Sequence, residues 1–366
     1  MKLVCQECKK SYPHDAKIWR CECGGMLDVE YTSQFPLETI KNRGKTLWRY
    51  REAIPVLYDK NIISFNEGFT PIIEDKIENK TVRFKLEYLL PSGSYKDRGA
   101  TVMISKAMEQ GVKRLVEDSS GNAGSAVAAY CAKADIECEI FVPSYASQGK
   151  IIQIQLYGAT LHTIFGTRED TAEAALKAAE TKFYGSHVWN PYFLQGTKTF
   201  AFETIEQMGW DIPDTIIMPL GHGGLLLGTF MGLEELFNAR LIDELPRLIG
   251  VQSESCPPLA EAYRKGLNDY VEILKKETIA EGVMVKNPLR APQILDAVKR
   301  TDGEIITVSE NEIKKALKRI LKKGYYIEPT SATAVAAIKE KANGTTILPL
   351  TGHGLKSTYT LEKIFN

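Results

Sequence analysis

The sequence predicts an α/β protein with parallel β-sheets that helices cover on both faces. After about residue 35, short apolar stretches typical of strands alternate with helical patterns rich in Ala and Glu, such as residues 171–182. Ser309 and Glu312 form a capping-box signature, which predicts the start of a further helix. Strands that alternate with helices in this way favour parallel sheets. The strands are predicted at residues 82–86, 114–117, 137–142, 160–165, 215–218, 248–252, 304–308 and 345–350.

The length and composition are those of an ordinary globular protein. The 366 residues are enough for about two domains at ~100–200 residues each. Apolar residues make up 44% of the chain, which allows a large core without disulfides. The 46 basic residues equal the 46 acidic ones, and this argues against a dedicated nucleic-acid-binding protein because such proteins need a basic excess.

We expect neither a targeting signal nor a membrane span. The N-terminus shows no charged segment followed by an apolar stretch. The longest uncharged run, residues 215–233, contains Pro219, His222 and five glycines. A buried strand, a glycine loop and a helix explain this run better than a span, which needs an unbroken apolar stretch. A cytoplasmic protein without a membrane partner is therefore expected.

Four cysteines near the N-terminus predict a structural zinc site in a small ribbon-like segment, residues 1–35. Cys5 and Cys8 form one close pair and Cys21 and Cys23 form another, so four thiolates can surround one metal. Two local disulfides or free thiols are the alternatives, although disulfides do not persist in a reducing cytosol. Four thiolates leave no open position on the metal, so the predicted role is structural.

The carboxyl ends of parallel strands are the usual ligand-binding edge of an open α/β sheet, and four unusual loops are predicted there. The first, residues 91–100, places Lys96 at the start of a helix. The positive end of the helix dipole disfavours the ammonium form and lowers the pKa of the Lys96 amine. A neutral amine suits Schiff-base chemistry, whereas a solvated surface lysine is the common alternative.

The second loop, residues 118–124, contains Ser119, Ser120 and Asn122 ahead of a predicted helix. Small hydroxyls and backbone amides at a helix N-terminus can bind a carboxylate. An ordinary helix cap is the alternative, since Ser and Asn are the usual capping residues.

The third and fourth loops offer a phosphate cup and a hydroxyl group. The third follows the strand at 215–218, and its glycines allow backbone amides to close on an anion at the start of a helix. It lacks the Gly-Lys-Ser/Thr of a nucleotide-binding P-loop. The fourth begins with Thr351, whose hydroxyl can meet a ring nitrogen; a tight turn is the alternative. The residues of the third loop are Gly221, His222, Gly223, Gly224 and Leu225, of which His222 is expected to line the site rather than act as a base.

These motifs resemble those of the fold-type-II pyridoxal-phosphate enzymes, most closely the threonine synthases, over nearly the whole chain. Residues 94–99 resemble the Schiff-base lysine motif, residues 119–122 the asparagine loop and residues 221–225 the phosphate loop. Residues 328–332 and 351–356 resemble the C-terminal signatures. The cysteine segment also resembles the ribbon of some prokaryotic threonine synthases.

The resemblance implies a fold and a domain organisation. The fold is that of two open parallel-sheet α/β domains of the tryptophan synthase β-like kind, preceded by the small zinc ribbon. The catalytic region would be residues 36–366, with a smaller subdomain at about 89–195 and a larger one at about 36–88 plus 196–366. A homodimer is also implied.

The resemblance further implies the roles of individual residues. Lys96 would form the Schiff base with pyridoxal 5'-phosphate and transfer protons, and Asn122 would hydrogen-bond the phenolic oxygen of the cofactor. Residues 221–225 would hold the cofactor phosphate, and Thr351 would face the pyridine nitrogen. The reaction would convert O-phosphohomoserine and water to threonine and phosphate, a carbon–oxygen lyase reaction on an amino-acid substrate. The candidate substrate-binding residues are Ser94, Ser119, Ser120 and Arg290.

Two departures from the family pattern leave the substrate open. Threonine synthases share an Asn-Pro-x-Arg stretch with Glu two residues later, but here Phe193 and Gln195 occupy the Arg and Glu positions. Residues 280–288 look more like those of serine/threonine dehydratases. A dehydratase, a diaminopropionate ammonia-lyase or a cysteine/cysteate synthase-like enzyme is therefore the alternative. Arg290 is the candidate replacement for the missing arginine, and a surface arginine on a loop is the other interpretation.

A binding module on an inactive enzyme scaffold is the alternative from another functional class. The ribbon would then contact a nucleic acid or a protein. The occupied lysine position and the balanced charge argue against it.

Overall fold

The structure is a computed structural model that describes residues 1–146 and 148–365. Its parallel sheets and flanking helices confirm the α/β class. The chain divides into two compact units. Unit 1 comprises residues 1–69 and 95–199, and unit 2 comprises Thr70–Ser94 and the residues from Phe200 onward.

The described residues form the following elements in chain order. The strands are β1 (Lys2–Cys5), β2 (Ser11–Pro13), β3 (Leu27–Glu30), β4 (Ile72–Ile77), β5 (Lys80–Lys85), β6 (Arg114–Glu117), β7 (Glu137–Pro143), β8 (Thr160–Ile164), β9 (Phe183–Tyr184), β10 (Thr215–Pro219), β11 (Arg247–Ser253), β12 (Glu304–Val308) and β13 (Thr346–Pro349). The α-helices are α1 (Leu37–Lys41), α2 (Lys96–Glu109), α3 (Asn122–Ala134), α4 (Gln148–Leu156), α5 (Arg168–Ala178), α6 (Pro191–Thr197), α7 (Thr199–Gln207), α8 (Gly224–Asn238), α9 (Pro258–Arg264), α10 (Ala291–Arg300), α11 (Glu310–Lys322), α12 (Pro329–Ala336), α13 (Ile338–Lys341) and α14 (Thr358–Phe365). Short 3₁₀ helices lie at Leu47–Ala53, Asp59–Asn61, Glu87–Leu89, Glu281–Val283 and Gly354–Ser357.

Unit 1 contains a small antiparallel sheet and a larger parallel one. The small sheet has the order β2-β1-β3 and forms the N-terminal ribbon. The larger sheet has the order β8-β7-β6-β9, with every pair parallel. The last three positions of β6, Leu115, Val116 and Glu117, and most of β7 are buried, as expected for strands inside a parallel sheet. The strands predicted from these apolar stretches are confirmed.

Residues 36–69 cluster with unit 1, whereas the family resemblance implies that residues 36–88 belong to the larger subdomain. The reason is a small apolar cluster in which Leu47, Trp48 and Ile54 pack against Val102 of α2. The neighbouring Thr101 hydroxyl accepts a hydrogen bond from Trp48 Nε1 at 3.1 Å. These contacts are long-range, so periodicity along the chain does not reveal them.

Unit 2 is built on a six-stranded sheet with the order β12-β11-β10-β13-β5-β4. All neighbouring strands are parallel except the edge pair β4 and β5. Because β10, β13 and β5 run in the same direction, the loops that follow them leave the sheet at one edge. This arrangement brings the third and fourth predicted loops to the same edge of unit 2.

Over the described parts of the chain, no helix is both long and apolar enough to cross a bilayer. The uncharged run at 215–233 becomes β10, a glycine turn and the first part of α8, as the sequence predicts.

Candidate active site

Lys96 is the first residue of α2 in unit 1, where the sequence places it. The side chain is half-buried, and its Nζ atom lies 4.7 Å from the centroid of the Tyr95 ring and 5.7 Å from that of the Phe193 ring. Two aromatic rings therefore border the amine.

Phe193 lies beside this lysine because α6 crosses the first turn of α2 at two glycines. A Cβ atom on Gly99 would lie 2.2 Å from the Phe193 ring, and one on Gly196 would lie 1.8 Å from the carbonyl oxygen of Arg98. The clash at Gly196 is with backbone atoms and can be relieved only by moving a helix, whereas the clash at Gly99 would displace the Phe193 ring. The Phe193 ring is buried, and at this position the chain offers an apolar surface instead of the family's guanidinium group.

The loop with Ser119, Ser120 and Asn122 joins β6 to α3 in unit 1, and the three side chains are half-buried. The loop folds tightly over the first turn of α3, because a Cβ atom on Gly124 would lie 1.9 Å from the Ser119 carbonyl oxygen. The Ser119 hydroxyl accepts a hydrogen bond from the Gly121 amide at 3.2 Å. These contacts fix a partly exposed polar loop at the helix N-terminus, a setting that suits a carboxylate.

A buried acidic network at the end of β6 was not predicted from the sequence. His187 Nδ1 lies 2.8 Å from the Glu117 carboxylate. The adjacent Asp118 accepts hydrogen bonds from Arg168 at 2.5 Å and from the Tyr184 hydroxyl at 2.9 Å. Burial, and then the charge of Asp118, raise the pKa of Glu117 well above its ordinary value. The sequence feature that could have pointed to this network is the acidic pair Glu117 and Asp118 at the end of β6. Their hydrogen-bond partners are distant in sequence, so the contacts themselves could not be predicted.

The glycine loop of unit 2 leads directly into α8, where the sequence predicts a phosphate cup. Gly223 has φ +75°, and a Cβ atom there would lie 2.2 Å from Ile294 Cδ1. A Cβ atom on Gly221 would lie 2.4 Å from the Gly282 carbonyl oxygen. At Gly224, the first residue of the helix, an added Cβ would meet no heavy atom within 4 Å. Open space therefore lies on the Cβ side of Gly224, the first residue of α8, and a helix N-terminus is the kind of site that binds an anion. In the same loop His222 is half-buried and Leu225 is buried.

Thr351 is paired with Ser331, a partner that the sequence analysis did not select. The two hydroxyl oxygens are 2.9 Å apart, and the Thr351 amide donates to the Ser331 hydroxyl at 2.8 Å. Both side chains are buried in unit 2. Ser331 is twenty positions from Thr351 in sequence, so spacing alone does not pair the two residues. Its place in the 328–332 motif was the one sequence feature that pointed to it. Two hydroxyls can donate to a ring nitrogen or accept from it without imposing a charge.

Ser94 lies at the same edge of unit 2, where it forms a β-bridge with Gly352. Its hydroxyl oxygen is buried and has no hydrogen-bond partner among the described residues. Lys356 donates to the Ser92 carbonyl oxygen at 2.8 Å and so holds the adjoining loop. A buried hydroxyl without a partner is costly, and a ligand group would satisfy it.

Arg290 is buried rather than on the surface, so the surface interpretation is wrong. The residue is 3% exposed at the start of α10, and its Nη1 atom donates to Gln293 at 2.8 Å. Its carbonyl oxygen accepts from the amide of Ile294, which is the residue that contacts Gly223. Arg290 is therefore one helical turn from the side chain that packs against the glycine cup.

The four N-terminal cysteines converge as the sequence predicts. Their sulfur atoms all lie within 4.8 Å of one another, with 3.5 Å between the Cys5 and Cys23 sulfurs and between those of Cys8 and Cys21. All are free thiols, so the disulfide alternative is not formed here. The Tyr12 hydroxyl lies 3.0 Å from the Cys21 sulfur, and this hydrogen bond is the main cause that lowers the Cys21 pKa to about 6. A thiolate is the form that binds zinc.

The groups in the predicted loops suit the parts of pyridoxal phosphate. The open first turn of α8 suits the phosphate of the cofactor, and the paired hydroxyls of Ser331 and Thr351 suit a ring nitrogen. Lys96 of unit 1 supplies a primary amine at a helix start.

Comparison with known proteins gives the same assignment. The model of the family described as pyridoxal-phosphate dependent enzyme matches residues 63–352. The chain is 34% identical to a threonine synthase of Methanocaldococcus jannaschii, over 96% of this chain and 92% of the relative. It is 32% identical to a threonine synthase of Methanosarcina acetivorans, over 98% and 93%. Among solved structures, a serine racemase from Dictyostelium discoideum matches with a TM-score of 0.68 and 28% identity, over 85% of this chain and 98% of that one. The chain therefore belongs to the pyridoxal-phosphate dependent enzymes, in the threonine synthase family.

Proposed function

We propose that this protein converts O-phosphohomoserine and water to threonine and phosphate. The observation that carries the proposal is the identity of 32–34% to threonine synthases over more than 90% of this chain. The glycine loop before α8, which is assigned to the cofactor phosphate, supports the cofactor and does not by itself select the substrate. The substrate would be a small amino-acid phosphate ester.

The cofactor-binding roles fall to Lys96 and Asn122 of unit 1 and to residues 221–225 and Thr351 of unit 2. When bound, pyridoxal phosphate supplies an aldehyde for an amine and a ring that stabilises negative charge on the substrate. Lys96 is assigned as the amine that attaches the cofactor and afterwards holds and returns protons. Asn122 is assigned to the phenolic oxygen, residues 221–225 to the phosphate, and Thr351 to the pyridine nitrogen. Ser331 joins this set through its contact with the Thr351 hydroxyl.

Substrate binding is assigned to hydroxyl groups and to Arg290. Ser119 and Ser120 lie at the N-terminus of α3, a suitable site for the substrate carboxylate. The unpartnered Ser94 hydroxyl is a second candidate contact. Arg290 is assigned to the substrate phosphate because Phe193 places a buried ring where the family has an arginine. The planar guanidinium group suits two parallel hydrogen bonds to a phosphate.

A second candidate function is a dehydratase-like elimination from serine, threonine or a diamino acid, or a cysteine/cysteate synthase-like replacement. The observation that favours it is again Phe193, whose ring borders Lys96 and carries no charge for a phosphate ester. A small unphosphorylated side chain would be compatible with such a wall.

We also propose that the four cysteines bind a structural zinc ion. Zinc–sulfur bonds of about 2.3 Å place sulfurs about 3.8 Å apart in a tetrahedron, which requires only small adjustments here. The proposal further includes a homodimer in the cytoplasm, without nucleic-acid or membrane partners. The same proposal includes a ribbon at residues 1–35, followed by a catalytic region of two subdomains.

A product assay separates the two candidate functions. The purified holoenzyme is incubated with O-phosphohomoserine, serine, threonine and diaminopropionate, and phosphate, threonine, ammonia and oxo acids are measured. Threonine and phosphate in equal amounts from the ester support the proposal. Ammonia and an oxo acid from the unphosphorylated amino acids, with no reaction of the ester, contradict it and favour the dehydratase-like function.

A further inference from the structure

The N-terminal ribbon packs directly on the helix that begins with Lys96. Leu3, Cys5, Cys21 and Leu27 of the ribbon share one buried cluster with Met103 and other residues of α2 and with Phe193 of α6. Two of the four proposed zinc ligands are therefore part of the core that supports the lysine helix. All of these residues belong to unit 1.

His14 connects the ribbon to both helices through polar contacts. Its carbonyl oxygen accepts a hydrogen bond from the Tyr192 hydroxyl of α6 at 2.5 Å. Its ring Nδ1 lies 3.1 Å from the Nζ atom of Lys106, a buried residue in the last part of α2. The neighbouring Gln110 donates to the Ala16 carbonyl oxygen at 3.3 Å. The segment after β2 is thereby fixed to α6 and to the end of α2.

The contact at Tyr192 continues to the catalytic lysine through the adjacent residue. Phe193 follows Tyr192 on α6, and its ring packs against Gly99 in the first turn of α2. The centroid of the same ring lies 5.7 Å from Lys96 Nζ. By contrast, Lys106 lies about 15 Å from Lys96 along the helix, at ~1.5 Å per residue. Contacts between the ribbon and Lys96 are therefore shorter through Tyr192 and Phe193 than through Lys106.

The cysteine cluster fixes the position of His14. Cys5 ends β1, which pairs with β2, and His14 directly follows β2. The Tyr12 hydroxyl of β2 contacts the Cys21 sulfur at 3.0 Å. A ribbon this small has little core of its own, so a metal bound by the four cysteines contributes much of its folding free energy.

We propose that the ribbon is a positioning element for Lys96 and that Tyr192 is the positioning residue through which it acts. Zinc keeps the ribbon folded, the folded ribbon holds Tyr192 through the His14 carbonyl oxygen, and α6 then keeps Phe193 against the first turn of α2. The inference rests on the proposed roles of zinc and Lys96. On this proposal the ribbon affects catalysis by positioning Lys96, and the zinc ion takes no part in the reaction.

The test compares two holoenzyme variants that each lose one tyrosine hydroxyl. Tyr192→Phe removes the bond to the His14 carbonyl oxygen. Tyr31→Phe is the matched control, because its hydroxyl donates to the Glu52 carbonyl oxygen at 2.9 Å and does not contact α2 or α6 by that bond. Zinc content, cofactor content, hydrogen exchange of the α2 amides, kcat and KM are measured. The pH midpoint of the change in cofactor absorbance is also recorded, since a purely structural role would not move it.

Tyr192→Phe is expected to keep its zinc and cofactor. Exchange of the α2 amides after the first turn, which are hydrogen-bonded within the helix, should be roughly 3–10-fold faster, the effect of one lost hydrogen bond on a local opening equilibrium. The value of kcat should fall by a similar factor, KM should change less, and the absorbance midpoint should shift. Tyr31→Phe should match the wild type in all of these. Removal of zinc by a chelator should reproduce the faster exchange in α2.

Equal behaviour of the two variants, or zinc removal without a change in α2 exchange, would overturn the inference. Exchange, zinc content and cofactor absorbance do not depend on which amino acid is the substrate. A failure of the proposed threonine synthase reaction would therefore leave this test intact and would be recognised separately.

Discussion

Replacing Gly223 by alanine tests the phosphate cup most sharply. The residue has φ +75°, a conformation that costs a residue with a Cβ roughly 1–2 kcal/mol. The new methyl group would also lie 2.2 Å from Ile294 Cδ1, and overpacking of this kind costs about 1–3 kcal/mol. The two effects add to about 2–5 kcal/mol, so Gly223→Ala should be clearly destabilised and should bind the cofactor more weakly.

Gly209→Ala is the matched control for the backbone effect. Gly209 has φ +76°, and a Cβ atom there would meet no heavy atom within 4 Å. It should therefore lose only the roughly 1–2 kcal/mol of the left-handed conformation and should keep its cofactor affinity. A second variant, Ile294→Val, removes the atom nearest to the new methyl group. Combined with Gly223→Ala it should recover part of the lost stability, a coupling that a double-mutant cycle measures.

Urea unfolding and absorbance titration with pyridoxal phosphate are the assays for these variants. The expected order of stability is wild type, then Gly209→Ala, then Gly223→Ala. Only Gly223→Ala should weaken cofactor binding. If the two alanine variants were equally stable and bound the cofactor equally well, the reasoning about this loop would be refuted.

Three further predictions concern other parts of the protein. Burial raises the pKa of Glu117, so above about pH 4.5 the folded state holds a proton there that the unfolded state has lost. The free energy of unfolding should therefore fall as the pH rises from that value. Urea unfolding at several pH values should show a weaker pH dependence for Glu117→Gln than for the wild type. An unchanged pH dependence would contradict this. Cys21→Ser should abolish binding of one zinc per chain, measured by metal analysis, and should speed hydrogen exchange in residues 1–35; full zinc retention would show that the metal site is assigned wrongly. Arg290→Ala should weaken binding of O-phosphohomoserine by about 1.5–3 kcal/mol while the cofactor spectrum stays unchanged, and Arg290→Lys should recover only part of it; an unaltered KM would exclude the assigned contact.

The sequence was sufficient for elements whose residues are buried as a continuous stretch. β6, β7, β10 and β13 were predicted because apolar residues fill both faces of a parallel strand. The edge strand β4 was missed because three of its six residues, Glu74, Asp75 and Lys76, are charged and interrupt the apolar pattern at an antiparallel edge. Its hairpin turn uses Glu78 and Asn79, both with positive φ, rather than the glycine that usually marks such a turn.

The loops of the candidate site were also visible in the sequence, but their supporting contacts were not. Lys96, Gly223 and Thr351 occur in local motifs, so residue type and spacing were enough to select them. The Ser331 partner of Thr351, the Glu117 partner of His187 and the Tyr192 contact with His14 join residues that are distant in sequence. Such pairs depend on how strands and helices pack, which motif spacing does not encode.

The central claim is that pyridoxal phosphate is attached to Lys96, and borohydride reduction followed by peptide mapping tests it most directly. The purified protein is reduced, digested and analysed by mass spectrometry. The account predicts one pyridoxyl group per chain, on the peptide that contains Lys96, and loss of both the visible absorbance and turnover in Lys96→Ala. A pyridoxyl group on a different lysine, or a Lys96→Ala variant that keeps its absorbance and activity, would contradict it.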